Sequence, residues 1–367
     1  MTFDKILTPE VTDILNNLET NGFEAFLVGG CVRDAILKRD CCDIDIATNA
    51  SAQQITEIFK TYEIMTAGFE FGTVNVKGKL GNIFDITSFR LEGEYLDGRH
   101  PSSVTFGGDI HTDLARRDFT INSLAVNLHG ELVDDFGGLN DCAARLIKCV
   151  REPKLRFCED YLRILRALRF SAVLDFSIER QTADAIHKLP SLAADIPPER
   201  ACEELRKMLS AAHNQRLKKL LIDFSDVFEN LFTGCFLKEA AERIGILQSE
   251  TNFILKAAII FSKANLFDCR LLNHKNFFSK SEEKLFYSLL DADSHKLQSR
   301  KDAVKYTVQL GKGNTKIFAA LKMSAPEEQN FINDIQNDIN TGQFPFSVGE
   351  LAVKGTDLID IGLHGKA

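Results

Sequence analysis

Asp43-Ile44-Asp45-Ile46 sets charge against branched apolar side chains at every second residue. Only an extended strand reconciles that pattern with burial, because neighbouring side chains then point to opposite faces. The segment predicts a strand over 43–47, with both carboxylates on one face and both isoleucines in the core. Around it the first 90 residues alternate strand and helix patterns. Residues 23–28 read as a strand that runs into Gly29-Gly30, and 31–38 as a short helix. Ser51 and Gln54 form a capping box that opens a helix to about Tyr62. Strands follow over 62–66, 73–77 and 83–89, the last two as a hairpin through Lys77-Gly78-Lys79. Residues 90–111 lack periodicity and read as a long loop, and 112–128 reads as helix. Beyond about residue 141 strand signals nearly vanish, with helices over 159–173, 179–189, 198–212 and 217–232. The fold class is therefore α+β, a small mixed-sheet head followed by an all-α remainder.

The chain has 367 residues, enough for two or three domains. Its hydrophobic share of 44% and charged share of 26% are those of an ordinary globular protein. No apolar run approaches a membrane span, and the first ten residues carry Asp4 and Glu10 rather than a secretion signal. Nine cysteines, without a CxxC pair, argue against a disulfide framework or a zinc site and for reduced thiols in the cytoplasm. The 28 Phe beside no Trp read as core filler. The net charge of −8 is unevenly spread: residues 1–140 hold 11 basic and 22 acidic side chains, whereas 141–170 and 211–322 are net basic. That profile suits a metal-using module joined to a polyanion-binding body.

Four segments carry chemistry. Asp43 and Asp45 repel each other unless a cation lies between them, and Mg²⁺ typically takes one or two carboxylates plus substrate phosphates. Asp85, alternating with apolar neighbours in the strand over 83–89, is a candidate third carboxylate. Gly29 and Gly30 stand between a strand and a helix, where backbone N–H groups approach a phosphate closely, and Arg33 lies one turn further on. Arg116-Arg117 are expected to open the helix over 112–128, opposing its dipole, which an anion such as a triphosphate would justify. Asp118 and Asn122, four apart, would share a face of that helix and hold ribose hydroxyls. In Glu159–Phe170, Asp160 and Arg163 stand three apart, and Arg163, Arg166 and Arg169 form a basic row. An acceptor beside a donor suits the amino-group-next-to-ring-nitrogen edge shared by cytosine and adenine, and refuses guanine and uracil.

In order along residues 27–209, these segments resemble the class II tRNA nucleotidyltransferases, the bacterial CCA-adding enzymes, and the bacterial poly(A) polymerases that share their motifs. Leu27–Asp34, Asp43 with Asp45, Asp97-Gly98-Arg99, Arg116–Ala125, Asp134–Gly138, Glu159–Phe170 and Glu199-Arg200 with Glu203, Glu204 and Arg206 carry the resemblance. It implies a polymerase-β-like nucleotidyltransferase head over 1–140, a helical neck that recognises the base over 141–212, an RNA-binding body over 213–322 and a tail over 323–367. It implies Asp43 and Asp45 as ligands of catalytic Mg²⁺; Asp85 as a third catalytic carboxylate rests on strand alternation alone. Gly29, Gly30 and Arg33 would contact the nucleotide triphosphate, and Arg117 with Asp118 would lie at triphosphate and sugar. Asp160 and Arg163 would read the base edge, with Arg166 and Arg169 lining the same pocket. The loop at Asp97-Gly98-Arg99 matches the element linked to switching from C to A addition. Residues 352–363 resemble the family's C-terminal motif. Relatives usually continue past it, so a truncated or naturally short tail is expected here, and no His-Asp dipeptide marks a phosphohydrolase domain. The implied activity is addition of C, C and A to the tRNA 3′ end from CTP and ATP, with contacts to acceptor stem and elbow and no membrane partner. The alternatives are an A-only enzyme, a poly(A) polymerase, or a non-catalytic RNA-binding protein. The oligomeric state is left open.

Overall fold

The computed structural model describes residues 3–41, 43–93, 98, 103–232, 235–247, 252–264, 271, 272, 274, 277–323 and 325–344. The chain divides into two compact units, Met1–Glu204 and Leu205–Ala367.

The first unit begins with α1 (Pro9–Thr20), capped by Thr8, then β1 (Ala25–Val28), α2 (Gly30–Ile36), β2 (Ile44–Thr48) and α3 (Ala52–Ile58). The capping box at Ser51 and Gln54 forms, although α3 ends four residues short of Tyr62. Next come β3 (Glu63–Met65), β4 (Thr73–Lys77) and β5 (Ile83–Ser88). With β8 (Ala125–Asn127) and β9 (Leu132–Val133) these make a seven-stranded mixed sheet in the order β3-β4-β5-β2-β1-β8-β9. β2 runs parallel to β5 and antiparallel to β1, with Asp45 level with Asp85.

That register decides the sheet's two faces. Leu27, Ile46, Ile86, Val74 and Val76 share one face and are buried. On the other, Val28, Ala47 and Ala125 pack with Phe89, Ile110 and Leu114. Next to this small core the same face turns polar. Asp45, Asp85 and Asn75 stand level across three strands, as do Ala47, Thr87 and Thr73.

Two expectations about the head need correction. Residues 90–111 are not a structureless loop, since β6 (Arg90–Glu92) pairs antiparallel with β7 (Val104–Phe106). Nor is 112–128 one helix. α4 (Ile110–Ala115) ends before the arginines, a 3₁₀ turn follows at Thr120–Asn122, and β8 begins at Ala125. Apolar spacing misled because Phe119 and Ile121 are buried by tertiary contacts, Phe119 bridging to Cys149.

The unit continues with α5 (Gly138–Ala143), β10 (Leu146–Ile147), α6 (Pro153–Glu159), α7 (Leu162–Leu174), β11 (Ser177–Ile178) and α8 (Arg180–Lys188). α9 (Pro198–Ala211) contains the boundary between the units. The predicted helix over 159–173 is broken at Asp160, whose φ −143°, ψ 106° is extended.

The described part of the second unit is helical, including Asn214–Asp223, Leu237–Gly245, Phe253–Phe261, Lys280–Ser294, Arg300–Leu310 and Pro326–Asn340. Phenylalanines fill its core as expected. Phe232 and Phe261 meet edge to face at 5.0 Å, and Phe277 meets Phe253 at 5.6 Å.

Candidate active site

Gly29 ends β1 with φ +73°, a conformation that L side chains avoid. Space is short as well: a Cβ would lie 2.8 Å from Arg117 Nη1, which would have to shift, and 3.9 Å from Asp45 Oδ2. The turn therefore brings bare backbone against an arginine and a carboxylate. The half-buried Asp45 stands beside it, and Asp43 is exposed just before β2. Burial pushes the Asp45 carboxyl up to about 6, opposed by Arg117 and reinforced by Asp85 and Asp43. Crowded carboxylates of this kind are the donor set a hard divalent cation prefers. Among the described residues no three acidic, His or Cys side chains form a metal-holding group; one or two carboxylates are what Mg²⁺ typically takes beside phosphate and water. Asp85 accepts a hydrogen bond from the Asn75 amide.

The arginines reach the site by a different route from the one predicted. Arg116 is the C-cap of α4 rather than its first turn, so it favours the dipole instead of opposing it. Both arginines are held by Asp113, three and four residues back. Arg116 Nη2 lies 2.7 Å and Arg117 Nη2 3.0 Å from its carboxylate. Burial alone would raise the Asp113 carboxyl, but Arg117 and Arg116 keep it below its ordinary value. Sequence reasoning missed Asp113, although its spacing to the arginines was visible.

Asp118 and Asn122 do meet, through the 3₁₀ turn and not a shared α-helical face. Asn122 Nδ2 donates to Asp118 Oδ1 at 3.0 Å, and Arg33 Nη1 donates to Asn122 Oδ1 at 2.8 Å. Asp118 also accepts from its neighbour's backbone N–H and, at 2.7 Å, from Arg166. Burial would raise this carboxyl, yet Arg166 and Asn122 hold it well below the carboxylate range. Arg169 continues the network with Nε 2.5 Å from Glu204. The guanidinium groups of Arg33, Arg166 and Arg169 all lie over the Phe170 ring, at 5.3, 5.3 and 4.0 Å.

Asp160 and Arg163 are not paired with each other through their side chains. The Asp160 carboxylate takes both guanidinium nitrogens of Arg200 at 2.9 Å, and Arg163 turns to Glu159 at 2.5 Å. The break in the helix explains this, since Asp160 lies outside α7. It is fixed there in part by the Tyr161 N–H, which donates to Gly98 O at 3.1 Å. Asp97 and Arg99, and the C-terminal motif over 352–363, lie outside the described residues.

A family model described as the poly A polymerase head domain matches residues 25–148. A second, the probable RNA and SrmB-binding site of polymerase A, matches 175–234. Over these two stretches the chain is similar to the poly A polymerase family. It is 43% identical over 225 residues to the CCA-adding enzyme of Geobacillus sp. (strain WCH70), covering 61% of this chain and 52% of that one. It is 37% identical over 248 residues to the CCA-adding enzyme of Oceanobacillus iheyensis, covering 68% and 58%. The chain thus spans a little over half the length of these curated relatives. The fold matches the crystal structure of the Bacillus stearothermophilus CCA-adding enzyme in complex with CTP at TM-score 0.73 and 26% identity, over 98% of this chain and 90% of that one. It also matches the fold of the Thermotoga maritima CCA-adding enzyme complexed with tRNA at TM-score 0.70 and 21% identity, over 100% and 91%. The first unit accordingly carries a nucleotidyltransferase head, and nucleotidyltransferases of this family generally use divalent metal ions. Among the described residues no helix is long and apolar enough to cross a membrane.

Proposed function

We propose that this chain is a cytoplasmic, template-independent enzyme that adds C, C and A to the 3′ end of tRNA, using CTP and ATP and releasing pyrophosphate. The observation that carries the proposal is the meeting of the bare Gly29 turn, Asp45 and Arg117 at one point of the sheet. The relatives' names supply the substrate class.

In this reading Gly29 and Gly30 bring backbone to the triphosphate, and Arg33 and Arg117 supply positive charge beside it. Asp43 and Asp45 would hold Mg²⁺, with Asp85 as a neighbouring carboxylate. The metal, when bound, polarises the phosphoryl oxygens and lowers the pKa of the attacking hydroxyl. Most of the remaining catalysis is positioning: the RNA 3′-oxygen must lie in line with the α-phosphorus and the leaving pyrophosphate. Base choice falls to Asp160 and Arg163, whose present partners Arg200 and Glu159 must be exchanged or shared when a base enters. Arg166 and Arg169 keep the adjoining wall cationic, while Asp118 and Asn122 tie that wall to Arg33. The four-part division into head, neck, body and tail at 140, 212 and 322 belongs to the same proposal.

The test uses tRNA transcripts ending before CCA, after C and after CC, each incubated with Mg²⁺ and one or all labelled nucleotides. Ordered addition of C, C and A followed by a stop is expected. Addition of A alone to the CC-ended transcript would make it an A-adding enzyme, a long A ladder a poly(A) polymerase. No incorporation would leave an RNA-binding protein. A wild-type rate for Asp85→Ala would remove that residue from the site.

A further inference from the structure

β2, which carries Asp45, lies between β1 and β5 in the sheet. β1 ends in the Gly29-Gly30 turn, and β5 leads directly into Arg90. The polar sheet face holds a cavity of about 210 Å³ that spans the three strands, lined by Val28 of β1, Asp45 of β2 and Thr87 of β5 and by Arg90, Arg116 and Arg117. Arg90 is fixed over this face by donating from Nη2 to Thr73 Oγ1 at 3.0 Å. Thr73 in turn shares a hydrogen bond with Thr87 at 3.0 Å. Arg116 and Arg117 are anchored from the far wall by Asp113. The buried Arg117 Nε has no hydrogen-bond partner. Three guanidinium groups thus stand with the Asp45 and Asp113 carboxylates around a space the size of one phosphate group, the geometry in which arginine takes phosphate oxygens.

Two parts of the reacting system carry phosphate, and the strand order separates them. In-line displacement puts the attacking oxygen and the leaving pyrophosphate on opposite sides of the reacting phosphorus. If the triphosphate lies on the glycine turn of β1, the attacking strand enters from the β5 side. We infer that Arg90, with Arg116, seats the terminal phosphodiester of the RNA strand being extended, while Arg117 stays with the triphosphate at the glycine turn. This rests on the transfer reading above, and it assigns Arg90 a substrate-binding role that sequence reasoning gave it no part in.

The test uses the full chain with Arg90→Ala and Arg90→Lys. Transfer is measured with RNA varied at saturating CTP, then with CTP varied at saturating RNA. In parallel, equilibrium binding compares a transcript ending before CCA with the same transcript trimmed of its last few nucleotides. Loss of one charge-assisted contact predicts an RNA KM raised about tenfold in Arg90→Ala, an unchanged CTP KM, and partial recovery in Arg90→Lys. Binding of the intact transcript should weaken, and that of the trimmed one should not. A raised CTP KM with an unchanged RNA KM would assign the cavity to the triphosphate and overturn the inference. Unchanged values for both, or equal losses together with a lowered Tm, would overturn it too. A wild-type chain inactive on every RNA would sink the transfer reading instead, and the two binding measurements would still decide the seat.

Discussion

At the residue scale the site depends on what Gly29 lacks. With its positive φ and Arg117 2.8 Å away, even a methyl group would strain the backbone and displace the guanidinium. Gly29→Ala should therefore push Arg117 away from the turn and raise the KM for CTP about tenfold or more. The backbone strain itself costs on the order of 1–3 kcal/mol. Titration of CTP in the transfer assay, beside a thermal melt, separates the two effects. An unchanged KM would mean that the turn does not meet the triphosphate. The two carboxylates and the two glycines were legible in the sequence because each needs only its immediate neighbours. Partners were not legible. Asp118 is committed to Arg166, 48 residues away, and Asp160 to Arg200, 40 residues away. Asp113 is the exception, since helical spacing from Arg116 and Arg117 points to it.

At the scale of elements, the sequence was read correctly where periodicity and capping decide. β2, β4, β5 and the capped start of α3 lie within a residue or two of expectation. It was misread where distant contacts decide. The 3₁₀ turn at Thr120–Asn122 and the break at Asp160 are both held by partners from other elements. α7 shows the energetic consequence. Its Arg166 and Arg169 both depend on the buried Glu204 of α9. Glu204→Gln should cost about 2–4 kcal/mol by leaving Arg169 without its counter-charge, read as a lower denaturant midpoint. In the second unit, Lys256 is buried on the helix Phe253–Phe261 and donates to Ala212 O at 3.0 Å. Burial pulls its ammonium down to about 8 from an ordinary 10.5. Between those values the unfolded chain binds the extra proton, so this group makes stability rise with pH from about 8 to 10.5. Below pH 8 both states are protonated and the burial penalty is fully present. Chemical denaturation across that range should show the rise in the wild type and a flatter profile in Lys256→Met. Parallel profiles would contradict it.

At the scale of the whole molecule, the acidic front and the basic stretches after residue 141 divide the work by charge. The acidic unit gathers carboxylates on the middle strands of its sheet, and in the proposed reading the helical stretches offer cations to the RNA. The fold class followed from composition and pattern, because strands need alternation and the chain after 141 has almost none. The pairing around Asp160 and Arg163 did not follow, because it depends on which of several arginines each carboxylate selects. The central claim is that Asp43 and Asp45 perform transfer on an RNA that the rest of the chain holds. The direct measurement is single-turnover CTP incorporation into a tRNA transcript ending before CCA, with Asp43→Asn and Asp45→Asn, alongside binding of the same transcript. The account predicts a rate lowered about a thousandfold or more, the scale of removing groups that stabilise charge at the reacting centre. RNA affinity should stay within about threefold, since phosphate contacts elsewhere dominate it. A near-wild-type rate in either variant would contradict the account.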